Sequence, residues 1–109
     1  MTSSVRSYRE LIVWQKAMEL AKCVYRLAGS FPAYERYGLA DQMRRAAVSV
    51  PSNIAEGQAR QHTAEFRQSL FVALGSLAEL ETQLLIAHDV AYFADDELKS
   101  TETLISDIR

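Results

Sequence analysis

Apolar residues recur along the chain at spacings of three and four, the mark of helices with 3.6 residues per turn. From about Tyr8 to Ala28, Leu11, Trp14, Met18, Ala21, Tyr25 and Ala28 form one row. Val13, Ala17, Leu20, Val24, Leu27 and Phe31 form a second. Two adjacent rows make a face wide enough to touch two neighbours. Gly29 supplies a stop, and Phe31-Pro32 reinforces it, because the residue before proline avoids helical geometry. Pro32–Gly38 reads as a connector holding at most one helical turn, with its two tyrosines packed over the end of the fold.

A second helix is predicted from Leu39 to about Gln58, with Leu39, Met43, Ala47, Val50 and Ile54 as its apolar row. Gln42, Arg45, Ser49, Ser52 or Asn53, Glu56 and Arg60 follow the same spacing as a polar row. Pro51 interrupts both rows. It lacks an N–H, so the carbonyl of Ala47 loses its partner and the helix is expected to kink or break there. Two shorter helices joined at Ser49–Ser52 are the alternative, and Gly57 reads as the end. In the third helix Thr63 is placed to cap, with Glu65 in the first turn. Phe66, Leu70, Ala73, Leu77, Leu80, Leu84, Ala87 and Ala91 then alternate four and three as a heptad seam, with Phe71, Leu74, Ala78 and Leu85 as a second row beside it. After Tyr92-Phe93-Ala94, Asp95 is placed to cap a last helix reaching about Ile108, with Leu98, Leu104, Ile105 and Ile108 facing inward. No window alternates with period two, so no strand is predicted. The pattern implies an all-α chain folded as an antiparallel up-and-down four-helix bundle. Residues 1–109 read as a single domain, of which 1–7 are expected to be flexible.

Composition narrows the picture. The 109 residues weigh 12.3 kDa, with 49% hydrophobic and 24% charged residues, ordinary values for one globular core rather than a disordered chain. One cysteine excludes an internal disulfide framework. The longest stretch free of Asp, Glu, Lys and Arg, Gln68–Ala78, is short of the roughly 20 apolar residues that span a bilayer, so no membrane association is expected. The N-terminal MTSSVRSYRE lacks the apolar core of a signal peptide, which makes a cytoplasmic location the expectation. A net charge of −2 argues against indiscriminate nucleic-acid binding. The charge is unevenly placed, however. Residues 1–68 carry ten Lys and Arg against six Asp and Glu, whereas 69–109 carry two against eight. Either the two halves complement each other within the bundle, or the basic half offers a face to an anionic partner.

Enzyme chemistry finds little support. A di-iron bundle needs Glu three residues before His, but Ala59 precedes His62 and Leu85 precedes His88. One cysteine and two scattered histidines make no zinc site. Cys23 sits among apolar rows without a nucleophile signature, no serine lies in an elbow motif, and no glycine belongs to a phosphate loop. Glu79 and Glu81, two apart on a helix, point to different sides. Gly75-Ser76 reads as a place of close helix approach. No metal, cofactor or catalytic residue is predicted. The polar segment of helix two is harder to set aside. A helix-interior proline costs about 3 kcal/mol. One reading has Ser49, Ser52 and Asn53 rebonding the freed backbone groups and stabilising a kink. The other has Arg44 and Arg45 lining a notch suited to phosphate or carboxylate.

These residues also carry a likeness. Phe31-Pro32, Glu35-x-Tyr37-Gly38-Leu39, Gln42-x-x-Arg45-Ala46 and Ser49-x-Pro51-x-Asn53-Ile54-Ala55-Glu56-Gly57 together resemble the 23S rRNA intervening-sequence protein family. Leu11-x-Val13-Trp14-x-x-Ala17 and Gly75-Ser76-Leu77-x-Glu79-Leu80-Glu81 fit the same pattern, which spans about Tyr8–Phe93. The resemblance implies a small bacterial four-helix bundle that assembles as a homopentamer, with Ser49, Pro51, Asn53, Glu56 and Gly57 as its structural signature. The chain is also similar to the accessory protein of diversity-generating retroelements, which binds nucleic acid and a reverse transcriptase.

Self-association has separate support. Helices one and three carry apolar rows wider than one bundle core requires, and surplus apolar surface on a small domain marks an interface. The functional expectation is a non-enzymatic homo-oligomeric scaffold or adaptor, contacting RNA or DNA phosphates through Arg44, Arg45 and Arg60, with Lys16 and Lys22 as helpers. A protein-interaction module without nucleic acid, binding a partner such as a polymerase, is the alternative. An enzyme built around Glu56 and Arg45 ranks last.

Overall fold

The computed structural model describes residues 7–60 and 62–109. The expectation for the first residues therefore lies outside the described part, apart from Ser7. Four helices run α1 (Ile12–Gly29), α2 (Leu39–Arg60), α3 (Thr63–Asp89) and α4 (Asp95–Ile108). No strand occurs among the described residues. α2 packs against α1 and α3, and α4 against the same two, while the diagonal pairs do not approach. The result is an up-and-down four-helix bundle of 47 × 24 × 17 Å.

The apolar rows explain the packing. Ala17, Leu20, Val24 and Leu27 of α1 are buried, as are Met43, Ala47, Val50 and Ile54 of α2. Ala73, Leu77, Leu80, Leu84 and Ala87 supply the α3 seam, and Ile105 and Ile108 close it from α4. The other α1 row divides. Ala21 and Ala28 are buried, Leu11, Trp14 and Met18 are half-buried, and Tyr25 is exposed. Each buried leucine or isoleucine contributes about 1.5–3 kcal/mol by leaving water.

Several element ends differ from expectation, each for a local reason. Tyr8–Glu10 forms a 3-10 turn capped by the Ser7 hydroxyl, and Leu11 is extended, so α1 starts only at Ile12. α2 runs unbroken through Pro51, which removes the two-helix alternative. Gly57 does not end α2. It is buried against α3, where a Cβ would stand 2.7 Å from Ser69 Cβ and 2.9 Å from Phe66 Cδ1. Thr63 is the first residue of α3 rather than its cap, which is His62. α3 stops at Asp89 because Ala91 adopts φ 66°. Tyr92 N–H then bonds Ala87 O at 2.9 Å and Ala91 N–H bonds His88 O at 2.9 Å, a Schellman stop made without glycine. Ala94, not Asp95, precedes α4, and its N–H is met by Glu97 Oε1 at 3.4 Å. Asp95 bonds His88 Nε2 instead.

One lash holds the end of the bundle where the α1–α2 and α3–α4 connections meet. The Tyr92 hydroxyl donates to Glu35 Oε2 at 2.8 Å and lies 2.8 Å from the Tyr34 hydroxyl. Glu35 Oε1 in turn accepts the N–H of Leu39 at the start of α2. Hydrogen bonding to Tyr34, then to Glu35, favours the protonated phenol and raises the pKa of Tyr92 above the tyrosine range. Tyr37 does not join; it is 87% exposed, with the Arg36 guanidinium 6.0 Å from its ring centroid.

Candidate functional site

The signature segment of α2 faces two ways. Toward α3, Ser49 Oγ lies 2.8 Å from Ser76 Oγ, and Asn53 Nδ2 donates to Ser49 O at 2.7 Å and to Ser49 Oγ at 3.0 Å. The bonded carbonyl is thus that of Ser49, not the one Pro51 frees on Ala47. Ser49 ties α2 to α3 through Ser76, and Asn53 holds Ser49 from within α2, the two making a polar seam. Glu56 is exposed and accepts from Arg60 Nη2 at 3.3 Å. Toward α1, Pro51 is buried and its ring forms part of a groove.

That groove, of about 660 Å³, lies between the outer sides of α1 and α2. Trp14, Met18, Val48, Pro51 and Ala55 make its walls apolar, with Lys22, Arg26 and Ser52 beside them. Tyr8 joins the lining and meets the Trp14 ring edge-on, with centroids 5.2 Å apart. Tyr25 is shared with a second hollow containing Asp41, Arg44, Arg45, Val48 and Ser49. The Arg44 guanidinium lies 5.9 Å from the Tyr25 ring centroid, and its Nη2 donates to Arg36 O at 3.2 Å. Arg45 Nε donates to Asp41 Oδ2 at 3.0 Å while its side chain stays 80% exposed.

The five basic residues expected to share a site divide accordingly. Arg44, Arg45 and Lys22 gather on the α1–α2 face around Tyr25. Lys16 faces α4 instead, 3.8 Å from Glu19 and 3.9 Å from Asp107. Arg60 ends α2, 3.3 Å from Glu56 and 3.6 Å from Glu65. Sequence reasoning missed Arg26. The signal was available, since Lys22 and Arg26 are one turn apart and share a helical face.

α3 presents the second surface. Phe71, Val72, Leu74, Leu85, Ile86 and Val90 are all exposed, Phe71 by 60%. Ala78 and Thr82 lie exposed between them. By length and composition alone, α3 is long and apolar enough to cross a bilayer, yet only a third of its most apolar stretch is buried in the bundle. Gly75 sits on this outer face, and nothing lies within 4 Å of where its Cβ would be. Of the Gly75-Ser76 pair it is Ser76 that meets α2, 2.8 Å from Ser49 Oγ, and the glycine in close helix contact is Gly57.

No group of three or more His, Cys, Asp or Glu among the described residues could hold a metal ion. Cys23 is half-buried, its Sγ 3.5 Å from Thr101 Oγ1. Glu56 and Arg45, the best enzymatic nucleus, pair separately with Arg60 and Asp41.

The fold has a solved counterpart. It is similar to the crystal structure of a protein of unknown function from the S23 ribosomal protein family of Bacteroides thetaiotaomicron, with a TM-score of 0.81 and 23% sequence identity. The likeness covers 89% of this chain and 88% of that one. No curated protein matches the chain. The family model described as 23S rRNA-intervening sequence protein matches residues 9–109, from the 3-10 turn to the end of α4. With that match enclosing the whole bundle and the Ser49–Gly57 signature at its polar seam, the chain belongs to the 23S rRNA-intervening sequence protein family.

Proposed function

We propose that the chain is a non-enzymatic scaffold that assembles with copies of itself, with five subunits, the number the sequence resemblance implies, as the working stoichiometry. The observation that carries this reading is the outer face of α3. A helix apolar on all sides belongs inside something. Here the bundle covers one side only, leaving six large apolar side chains in water. Multi-angle light scattering at micromolar concentration tests the reading. A mass several times 12.3 kDa is expected, and a monomer mass refutes it.

A second reading rests on the hollow beside the α1–α2 groove, where Arg44 and Arg45 stand with Tyr25. Guanidinium groups beside an exposed ring suit phosphates and stacked bases. On this reading the scaffold also contacts RNA or DNA, and binding falls steeply with salt. Fluorescence anisotropy with labelled RNA and DNA at low salt checks it: retention weakened by Arg44→Ala supports it, and no retention refutes it. A protein partner captured despite nuclease treatment, with no nucleic acid retained, supports the interaction module instead.

A further inference from the structure

We infer that the α3 ridge of one copy docks into the α1–α2 groove of the next. The inference rests on the self-assembly proposed above and specifies its geometry.

The ridge and the groove are complementary in shape and in charge. Phe71, Leu74, Ala78, Thr82 and Leu85 follow one another at spacings of three and four along the outside of α3. With the exposed Val72 and Ile86 they make one contiguous apolar patch, the kind of surface that marks an interaction site rather than scattered exposed residues. The groove is the concave counterpart, walled by Trp14, Met18, Val48, Pro51 and Ala55. Lys22 and Arg26 flank it, whereas the exposed Glu79 and Asp89 lie along the second half of the ridge and Arg67 stands one turn before Phe71 at its start. The chain's uneven charge thus sets a basic recess against an acidic-edged ridge on a neighbouring copy.

Gly75 supplies an independent observation. A glycine in the interior of a long helix is unfavourable unless something approaches its backbone closely. At Gly57 the approaching group is α3 of the same chain. At Gly75 nothing among the described residues lies within 4 Å, and the glycine lies on the ridge itself, one turn from Phe71. It leaves a dent where a neighbour's side chain fits between Phe71 and Ala78.

The ridge and the groove are different patches of one molecule. Their contact is therefore head to tail, and repeating it does not stop at a symmetric pair. It builds a ring where the rotation between copies closes, the outcome a finite assembly mass reports, and an open filament where it does not. One neighbour covers Trp14 and the other covers Phe71, which leaves neither apolar surface in water.

Cross-linking tests the arrangement in a Cys23→Ala background, so that added thiols are unique. Ser52→Cys places a thiol at the groove and Ala78→Cys one on the ridge; both positions are exposed. Treated with a short bismaleimide, the double variant is expected to give a ladder of covalent oligomers ending at the mass of the native assembly, and each single variant only monomer bands. A dimer band from Ala78→Cys alone means ridge meets ridge and overturns the inference. So does an oligomeric double variant without a ladder. Phe71→Glu is expected to leave the helical circular dichroism intact and convert the assembly to monomers. Wild-type chain that floats with phosphatidylcholine vesicles, when Phe71→Glu does not, assigns the ridge to a membrane surface and overturns the inference. A monomeric wild type refutes self-assembly itself, whereas an oligomer that fails the cross-linking test refutes only this docking.

Discussion

Gly57→Ala sets two effects of known size against each other. In a helix interior, alanine is favoured over glycine by about 0.5–1 kcal/mol, because glycine loses more backbone freedom on folding. By that measure alone the variant is more stable. But α2 and α3 meet at this position, and the new methyl would stand 2.7 Å from Ser69 Cβ, 2.9 Å from Phe66 Cδ1 and 3.1 Å from Ser69 Oγ. Ordinary carbon–carbon contact is about 3.5–4.0 Å, so one of the helices must move. Ser69 is buried and its Cβ is fixed to the α3 backbone, so no rotamer change relieves the closest contact. Overpacking of this kind costs about 1–3 kcal/mol. With no rotamer relief the cost falls in the upper half of that range, so the difference leaves Gly57→Ala destabilised by about 1–2.5 kcal/mol, or about 4–11 °C in Tm for a domain of this size. Urea denaturation followed by circular dichroism at fixed protein concentration measures it. Ser69→Gly in the same chain is expected to restore part of the loss, because it removes the contacted atom. A Gly57→Ala variant as stable as the parent or more so, with no help from Ser69→Gly, would show that the helices are not in close contact there.

Three further outcomes follow from single groups. Ala91→Gly relieves the left-handed backbone at the α3 stop, and after glycine's own entropy loss it is expected to raise stability by about 0.5–1 kcal/mol in the same denaturation assay. Gln83 is buried with Oε1 lacking a hydrogen-bond partner among the described residues and only Nε2 bonded, to Glu79, so Gln83→Leu is expected to be neutral or stabilising by about 1 kcal/mol, and a loss of about 2 kcal/mol would show that the buried amide is satisfied. The raised pKa of Tyr92 means its protonated hydroxyl stabilises the fold fully below the ordinary tyrosine pKa of about 10, and that contribution fades as pH rises above it. Tyr92→Phe should therefore narrow its stability gap to wild type at alkaline pH, while the gap stays constant from pH 6 to 9.

Much of the fold was legible because helical spacing is a direct consequence of backbone geometry. The rows Ala17–Leu27 and Ala73–Ala87 carry their burial in their periodicity. The ends were harder to read, since they depend on one or two residues and on what those residues meet. Ala91 takes a conformation that alanine rarely adopts, so no glycine announced the stop. Thr63 and Asp95 have capping chemistry but lie one residue inside their helices. Gly57 and Gly75 look alike in sequence, yet only packing separates a glycine in close contact from one facing open space. In the candidate site, the value of Arg44 and Arg45 was visible in sequence, but which cations share a face depends on helix rotation. That rotation sends Lys16 toward Asp107 and leaves Arg26 beside the groove.

The brevity of α4 shapes how the molecule opens. Fourteen residues reach about 21 Å, against about 40 Å for the twenty-seven of α3, so α4 ends near Glu81, where Arg109 pairs at 3.0 Å. Past that point Phe66 and Leu70 have no fourth helix over them and are only half-buried. The tyrosine-bound end is thus the anchor, and the opposite end, where α3 begins at Thr63, is the less covered prow. Amide protons should exchange first around His62 and last around Leu84, and any event that loosens the fold will start at the prow and spread inward.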